Sequence, residues 1–425
     1  MAADDPEGPL RILVVGLNYA PEPVGIGPYT AGLAEGLVAR GHRVEVVTGR
    51  SYYPQWAPLP GYPARWNRRT QGGVGITRVP HYIPRDPGGL KRLIHLASFT
   101  LSALFPAVKQ ARRMKPDHVL VVAPSLLAMP VGAMAARFSG AKLWVHVQDF
   151  ELEAAQATGL LSGKGAVARL GRAVERFLFG LADFASTISP AMCTRLEAKG
   201  FDARDTFEMR NWANHADTIM AAGGGTSGAS PYVRAWGLEG RKVLLYSGNI
   251  ANKQGLDVVI DAARLLSDRG DLAFVICGEG PNRQKLEAQA EGLANIQFHD
   301  LQPREKVGDL LALAHAHLLP QKAGAADLVL PSKLTNILAS GRPVIATAEA
   351  GTGLAEECEG CGIVTMPEDA RALANAIERL ADDEPLADRL GAEALLRARE
   401  RWALDGILNS TEAELIARRP ARPAT

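Results

Sequence analysis

Short runs of Val, Ile and Leu, each followed by a longer amphipathic stretch, recur along this chain and restrict it to few folds. Arg11 to Gly16 and Arg43 to Thr48 flank the helical stretch Pro28 to Arg40, and Val119 to Ala123, Leu143 to Val147 and Ala185 to Ile188 continue the rhythm. A strand that is apolar at every position has no solvent face, so it belongs to a parallel sheet covered on both sides by helices. The pattern then restarts: Val243 to Ser247, Ala273 to Cys277, Ile296 to Phe298, His317 to Leu319, Val344 to Ala346 and Ile363 to Thr365 alternate with helical stretches such as Leu256 to Ser267 and Arg371 to Ala381. Two doubly wound α/β units are predicted. They are expected over residues 1–212 and 213–395, with a C-terminal helix and tail over 396–425. GGGTSGAS, Gly223 to Ser230, reads as a flexible surface loop near the break.

Composition narrows the function. The 425 residues are 47% hydrophobic and 22% charged, which suits a large core and not a disordered, collagenous or coiled-coil chain. Forty-seven basic against 46 acidic residues give a formal net charge of +1, so no global field draws the chain to nucleic acid. Any anion site has to be local. Cys193, Cys277, Cys358 and Cys361 are too few for a disulfide scaffold, and the lone CxxC at Cys358 and Cys361 has no second pair at zinc spacing, so no metal is implied. The start MAADDPEG lacks the basic flank and apolar run of a signal peptide, and a cytoplasmic location is expected. Val119 to Ala136 reaches membrane-helix length, but Pro124 and Pro130 interrupt it, and a buried strand followed by a helix is expected there.

Ligands of open parallel sheets bind beyond the carboxyl ends of the strands, which directs attention to the loops after Gly16, Val147, Ser247, Cys277 and Leu319. The first loop is too long for a dinucleotide turn and lacks the third glycine of GxGxxG, yet Gly25 and Gly27 precede a helix opened by Pro28 and let backbone approach an anion there. The loop Tyr246 to Gly255 combines small residues with Asn249 and one cation, Lys253, ahead of a helix, an arrangement that suits a diphosphate. Gly278 and Gly280 in GEGP leave room for a flat base against the backbone. The stretch from Asp327 to Ala346 places Ser332 as N-cap of a helix reaching Ser340 and closed by Gly341, with Lys333 in its first turn adding a full charge to the helix dipole. Asn336, one turn on, shares its face and can hydrogen-bond a ribose hydroxyl. His146, Gln148 and Asp149 end a first-unit strand, and Asn211 with Trp212 is either a hinge or a cleft group. Pro87 to Lys115 is apolar in the middle and basic at both ends, which fits either a helix lying on an anionic bilayer or a buried crossover helix.

Together RILVVGLNYAPEPVGIGPYTAGLAEGLVARGHRVEVVT, HVQD, RNW, YSGNIANKQGL, CGEGP and PSKLTNILASGRPVIA resemble the family 4 glycosyltransferases of GT-B fold, in the bacterial exopolysaccharide, O-antigen and colanic-acid branch. The resemblance implies two Rossmann-like domains facing across a cleft, the second holding a UDP- or GDP-linked sugar and the first the acceptor. It further implies transfer to a saccharide, in this branch a lipid-linked one at the inner membrane face, with retention of configuration and no metal or other cofactor. On it, Lys253 corresponds to the diphosphate-contacting base, Gly278 and Gly280 line the base site, and Ser332 and Lys333 face the phosphates. His146 and Asp149 then orient the sugar or acceptor. The chain departs from the family pattern at Asn249, where many members have Arg, and at Leu328 and Asn336, where many have a pair of Glu; Asp327 neighbours the first of these. A nucleotide-sugar 2-epimerase of the same fold and a non-catalytic nucleotide-sugar-binding subunit are the alternatives. The missing carboxylates weigh against the epimerase.

Overall fold

The computed structural model describes residues 8–23, 25–153, 165–213, 230–323 and 330–421. Met1–Asn211 with Ile407–Thr425 form one compact unit and Trp212–Gly406 the other.

In the first unit the apolar runs become β1 (Arg11–Gly16), β2 (Arg43–Gly49), β5 (His118–Ala123), β6 (Lys142–Val147) and β7 (Phe184–Thr187), nearly all of whose residues are buried. With β3 (Asn67–Gln71), β4 (Val74–Val79) and β8 (Thr206–Glu208) they make an eight-stranded sheet in the order β3-β4-β2-β1-β5-β6-β7-β8. The all-parallel expectation needs correction here. β3 runs antiparallel to β4, so the sheet is mixed. Its residues Asn-Arg-Arg-Thr-Gln are exposed or half-buried, as suits an edge strand, and the two-residue turn Gly72-Gly73 with φ of 55° and 77° supplies the left-handed backbone a tight hairpin demands. Four helices matter below: α1 (Gly27–Ala39), α2 (Gly89–Met114), α3 (Met129–Ser139) and α4 (Ala166–Phe179). The interrupted run Val119 to Ala136 is a strand followed by a helix, as expected.

The second unit is a six-stranded, wholly parallel sheet in the order β11-β10-β9-β12-β13-β14. Its strands are β9 (Lys242–Ser247), β10 (Leu272–Cys277), β11 (Ile296–His299), β12 (Ala316–Leu319), β13 (Val344–Thr347) and β14 (Gly362–Thr365). This is the doubly wound order whose direction reverses between the first and fourth strands, and loops diverge at that point. Apolar clusters fill both faces, one around Val243, Leu245 and Leu338 and the other around Leu244, Phe274 and Ile377. Two further helices are needed for the site, α5 (Ser332–Ala339) and α6 (Glu384–Trp402).

The helical pattern from Pro385 onward divides. α6 buries Ala394 and Trp402 in the second unit, whereas α7 (Leu404–Ala417) belongs largely to the first. There the Glu412 carboxylate lies 2.9 Å from His42 Nε2 and 3.5 Å from Arg40, and the Leu415 carbonyl accepts from His118 Nε2 at 2.8 Å. GGGTSGAS lies outside the described residues except for Ser230, whose hydroxyl accepts from the Tyr232 N–H at the start of a short helix.

Candidate active site

In the second unit the loops after β9 and β10 run side by side, joined by backbone. The Gly248 N–H donates to the Cys277 carbonyl and the Ile250 N–H to the Glu279 carbonyl, both at 2.8 Å. This approach is why glycines stand at 278 and 280: a Cβ would lie 1.9 Å from the Gly248 oxygen at the first and 2.2 Å from the Ile250 oxygen at the second. No side chain fits at either. Arg283, missed in the sequence reading, clamps the turn by donating to the Gly278 carbonyl at 3.1 Å while pairing with Glu279 and Asp300.

Lys333 reaches this loop from α5. Its ammonium sits 4.0 Å from the ring centroid of Tyr246 and donates to the phenol oxygen, which in turn donates to the Asn249 carbonyl. Its chain fills the space left by Gly248, where a Cβ would fall 2.4 Å from Lys333 Cε. Burial holds the Tyr246 phenol well above its usual pKa, so it stays neutral beside the ammonium. Tyr246 is the last but one residue of β9, a strand that reads as pure core, so nothing in the pattern marked it as the lysine's partner.

Ser332 requires a correction. Pro331 occupies the capping position, with φ of −56° and its carbonyl accepting the Leu334 N–H at 2.9 Å. Ser332 is therefore the first helical residue, exposed and not a cap. Gly341, at φ 67°, follows the helix as expected. Asn336 presents a buried Oδ1 with no hydrogen-bond partner, a costly arrangement that a donor hydroxyl would relieve. Asn249 is exposed. Lys253 lies in the turn Asn252–Gln254, but its side chain, like the whole of Asp327 and Leu328, falls outside the described residues. The same turn is met by a cation that sequence reasoning passed over: Lys322, beyond β12, donates to Asn252 Oδ1 at 2.8 Å.

The first unit carries a cavity of about 220 Å³ at the carboxyl ends of β1, β2, β5 and β6, where strand order reverses between β1 and β5. Gly25 and Asp149 line it, as do Tyr52, Tyr53, Trp56, Arg92 and Glu151, none of which the sequence reading named. Buried Glu22 ties two of the loops together, accepting the N–H groups of Tyr52 and Tyr53 at 2.9 and 3.2 Å and the Asn18 amide at 2.8 Å. Gly27 opens α1 against Glu22, 3.1 Å from its Cβ. Glu151 accepts the Leu126 N–H at 3.0 Å, and burial pushes its carboxyl up to about 6. Asp149 is exposed beside it. Two carboxylates among three aromatic rings form a surface suited to sugar hydroxyls and sugar faces.

His146 does not line this cavity. It is buried, and burial lowers its pKa to about 3, so it is neutral. The Gln148 amide donates to Nε2 at 3.0 Å, which leaves the ring proton on Nδ1, donated to Ser186 Oγ at 2.8 Å. Gln148 and Asn211 exchange amide hydrogen bonds of 2.9 and 2.8 Å. His146 and Asn211 thus act on the loop after β6 through Gln148. Among the described residues no group of three or more His, Cys, Asp or Glu is placed to hold a metal ion, and no helix is long and apolar enough to cross a membrane.

Comparison with known proteins settles the family. Residues 24–212 match the glycosyl transferase 4-like domain and residues 232–397 the glycosyl transferases group 1 domain. The chain is 42% identical to WcaI of Escherichia coli K12, described as a colanic acid biosynthesis glycosyl transferase, over 87% of this chain and 92% of that protein. The chain is a family 4 glycosyltransferase. Solved structures agree on the fold of this glycosyltransferase: Anabaena HepE in complex with UDP and glucose aligns with TM-score 0.64 at 17% identity over 96% of this chain and 99% of that one. Sucrose-phosphate synthase from Thermosynechococcus elongatus aligns with TM-score 0.69 at 17% identity over 96% and 100%. All are GT-B folds of two α/β domains.

Proposed function

We propose that this glycosyltransferase moves a sugar from a UDP- or GDP-linked donor to a lipid-linked saccharide, with retention and without a metal, in the assembly of cell-surface polysaccharide at the inner membrane face. The observation that carries the reading is the juxtaposition of Gly248, Gly278, Gly280 and Lys333 beyond the strands of the second unit. The two loops held together at these glycines, with the adjoining Lys333, accept a planar base and a diphosphate, and the ammonium neutralises the phosphate charge as the bond to the anomeric carbon breaks. Asn336 Oδ1 takes a ribose hydroxyl. Positive charge to balance the leaving diphosphate then comes from Lys333, Lys253 and the first turn of α5, in place of a metal ion. The departing phosphate accepts the proton of the attacking hydroxyl on the same face of the sugar, so no dedicated base is required.

Saccharide acceptance belongs to the aromatic and carboxylate cavity of the first unit, where Asp149 and Glu151 accept hydroxyl hydrogens and Tyr53 and Trp56 cover ring faces. His146 and Asn211 hold the β6 loop in place. The polysaccharide setting draws support from the likeness to WcaI, and the donor class from the UDP held by HepE. The test is a panel of nucleotide sugars incubated with membrane extracts, scored for nucleotide release. Release that depends on extract supports transfer. Epimer formation without extract, or nucleotide binding with no turnover on any pairing, would replace the reading with one of the alternatives.

A further inference from the structure

A second cavity, of about 540 Å³, lies in the first unit away from the acceptor residues, between the β3–β4 hairpin and the last turns of α2. Its walls are Trp66, Phe105 and Pro106, and its charged lining is all cationic: Arg68, Lys109 and Arg113. Arg68 is paired with Glu45 at 2.7 Å, whereas no carboxylate lines the cavity among the described residues.

The surface beside it is apolar where water would be expected. α2 buries His95, Phe99, Ala103 and Gln110 on one side, yet on the other exposes Leu90, Ile94, Leu101 and Phe105, the last two 75% and 72% exposed. A helix apolar on both faces needs a second apolar neighbour. α3 packs on α2 and α4 on α3, and both continue the pattern, with Phe138 outward on the first and Leu170 and Phe177 on the second. Arg112 lies 4.5 Å over the Phe138 ring. Neither α2 nor α3 holds an acidic residue, and the one in α4, Glu175, is turned inward to Lys199 at 2.8 Å.

Apolar side chains ringed by cations, with exposed Trp66 at the rim and Asp86 before α2 lying 3.8 Å from Lys91, match an anionic bilayer and oppose a protein partner that would need acceptors of its own. We propose that the cavity of Trp66, Arg68, Lys109 and Arg113 binds the phosphate headgroup of an anionic membrane lipid while the outer faces of α2, α3 and α4 seat in the acyl boundary. This rests on the membrane-face setting proposed above and gives that setting a site.

The test is cosedimentation of the full-length protein with phosphatidylcholine vesicles, pure or containing one-third phosphatidylglycerol. Binding is expected only with the anionic lipid. The pair Lys109→Ala and Arg113→Ala should lower partition roughly 30-fold, whereas Arg371→Ala with Arg389→Ala, an equal loss of charge on the second unit, should leave it within twofold. Brominated phosphatidylglycerol should quench tryptophan fluorescence, and Trp66→Phe should remove most of that quenching. Circular dichroism and nucleotide affinity establish that each variant is folded. Equal binding by the two double variants, quenching that survives Trp66→Phe, or a concentration-dependent dimer with no vesicle binding would each overturn the site. Because nucleotide turnover is measured on the same samples, loss of vesicle binding with turnover intact sinks this proposal alone, and absence of turnover sinks the transferase reading alone.

Discussion

The two units share an architecture and differ in what they set on it. Beyond the strands of the second unit the working surface is main chain: glycines at 248, 278 and 280, held by hydrogen bonds between loops, with a lysine laid across a tyrosine. Beyond those of the first it is side chain: three aromatic rings, an arginine and two carboxylates, fixed from beneath by Glu22 and by the His146–Gln148–Asn211 relay. On the proposed function, main chain would meet what every nucleotide diphosphate has in common, whereas side chains would vary with the sugar to be met. One scaffold thus separates a general task from a particular one.

Four changes would break or sharpen that contrast. Lys333→Ala should lower kcat by on the order of 10²–10³-fold, as when one preorganised donor to a leaving group is lost; steady-state kinetics with near-normal turnover would remove it from the chemistry. Gly278→Ala, which drives a methyl into the Gly248 carbonyl, should destabilise the second unit by about 3 kcal/mol and abolish tight nucleotide binding, while the first unit's own melting transition stays put. Calorimetry on the full chain reads both.

Acid should weaken both units and the first more steeply, because burial lowers His81, His118 and His146 there to about 3 or 4, whereas among the described residues of the second unit only His317 is lowered as far. His146 and His317 have folded pKa values of about 3, below the ordinary 6.5, so their contribution is whole above pH 6.5 and is lost as pH falls toward 3. Each should cost about 1.4 kcal/mol per pH unit over that window, and His317→Asn should flatten the pH dependence of the second transition only. Smallest is Tyr53→Ala, expected to raise acceptor KM about fivefold with donor KM unchanged, the size of a single stacking contact. A rise in donor KM instead would mean that the first-unit cavity is not the acceptor's.

Eleven strands were legible because continuous apolar runs leave no other structure, and each observed strand agrees with its run to within one residue at either end. β3, β4 and β8 were not, since Asn67–Gln71 and Thr206–Glu208 carry too few apolar residues to register and Val74–Val79 interrupts its apolar residues with Gly75, Thr77 and Arg78. In the candidate site, glycines and Lys333 could be read because their chemistry is local: a missing Cβ and a charge at a helix start. Tyr246, Arg283 and Glu151 could not, because each matters through a partner distant in sequence, the Lys333 ammonium, the Asp300 carboxylate and the Leu126 amide. Ser332 was misplaced by one residue because a proline can itself occupy the position where a hydroxyl was anticipated.

The return of α7 to the first unit has a consequence for biosynthesis. A ribosome releases the partners of His42 and His118 only after every strand of the second unit has emerged, so the earlier-made half waits, with α1 uncovered, for a segment translated after them. Nascent chains that lack residues 404–417 should expose that seam to chaperones although the strands of the second unit are already made.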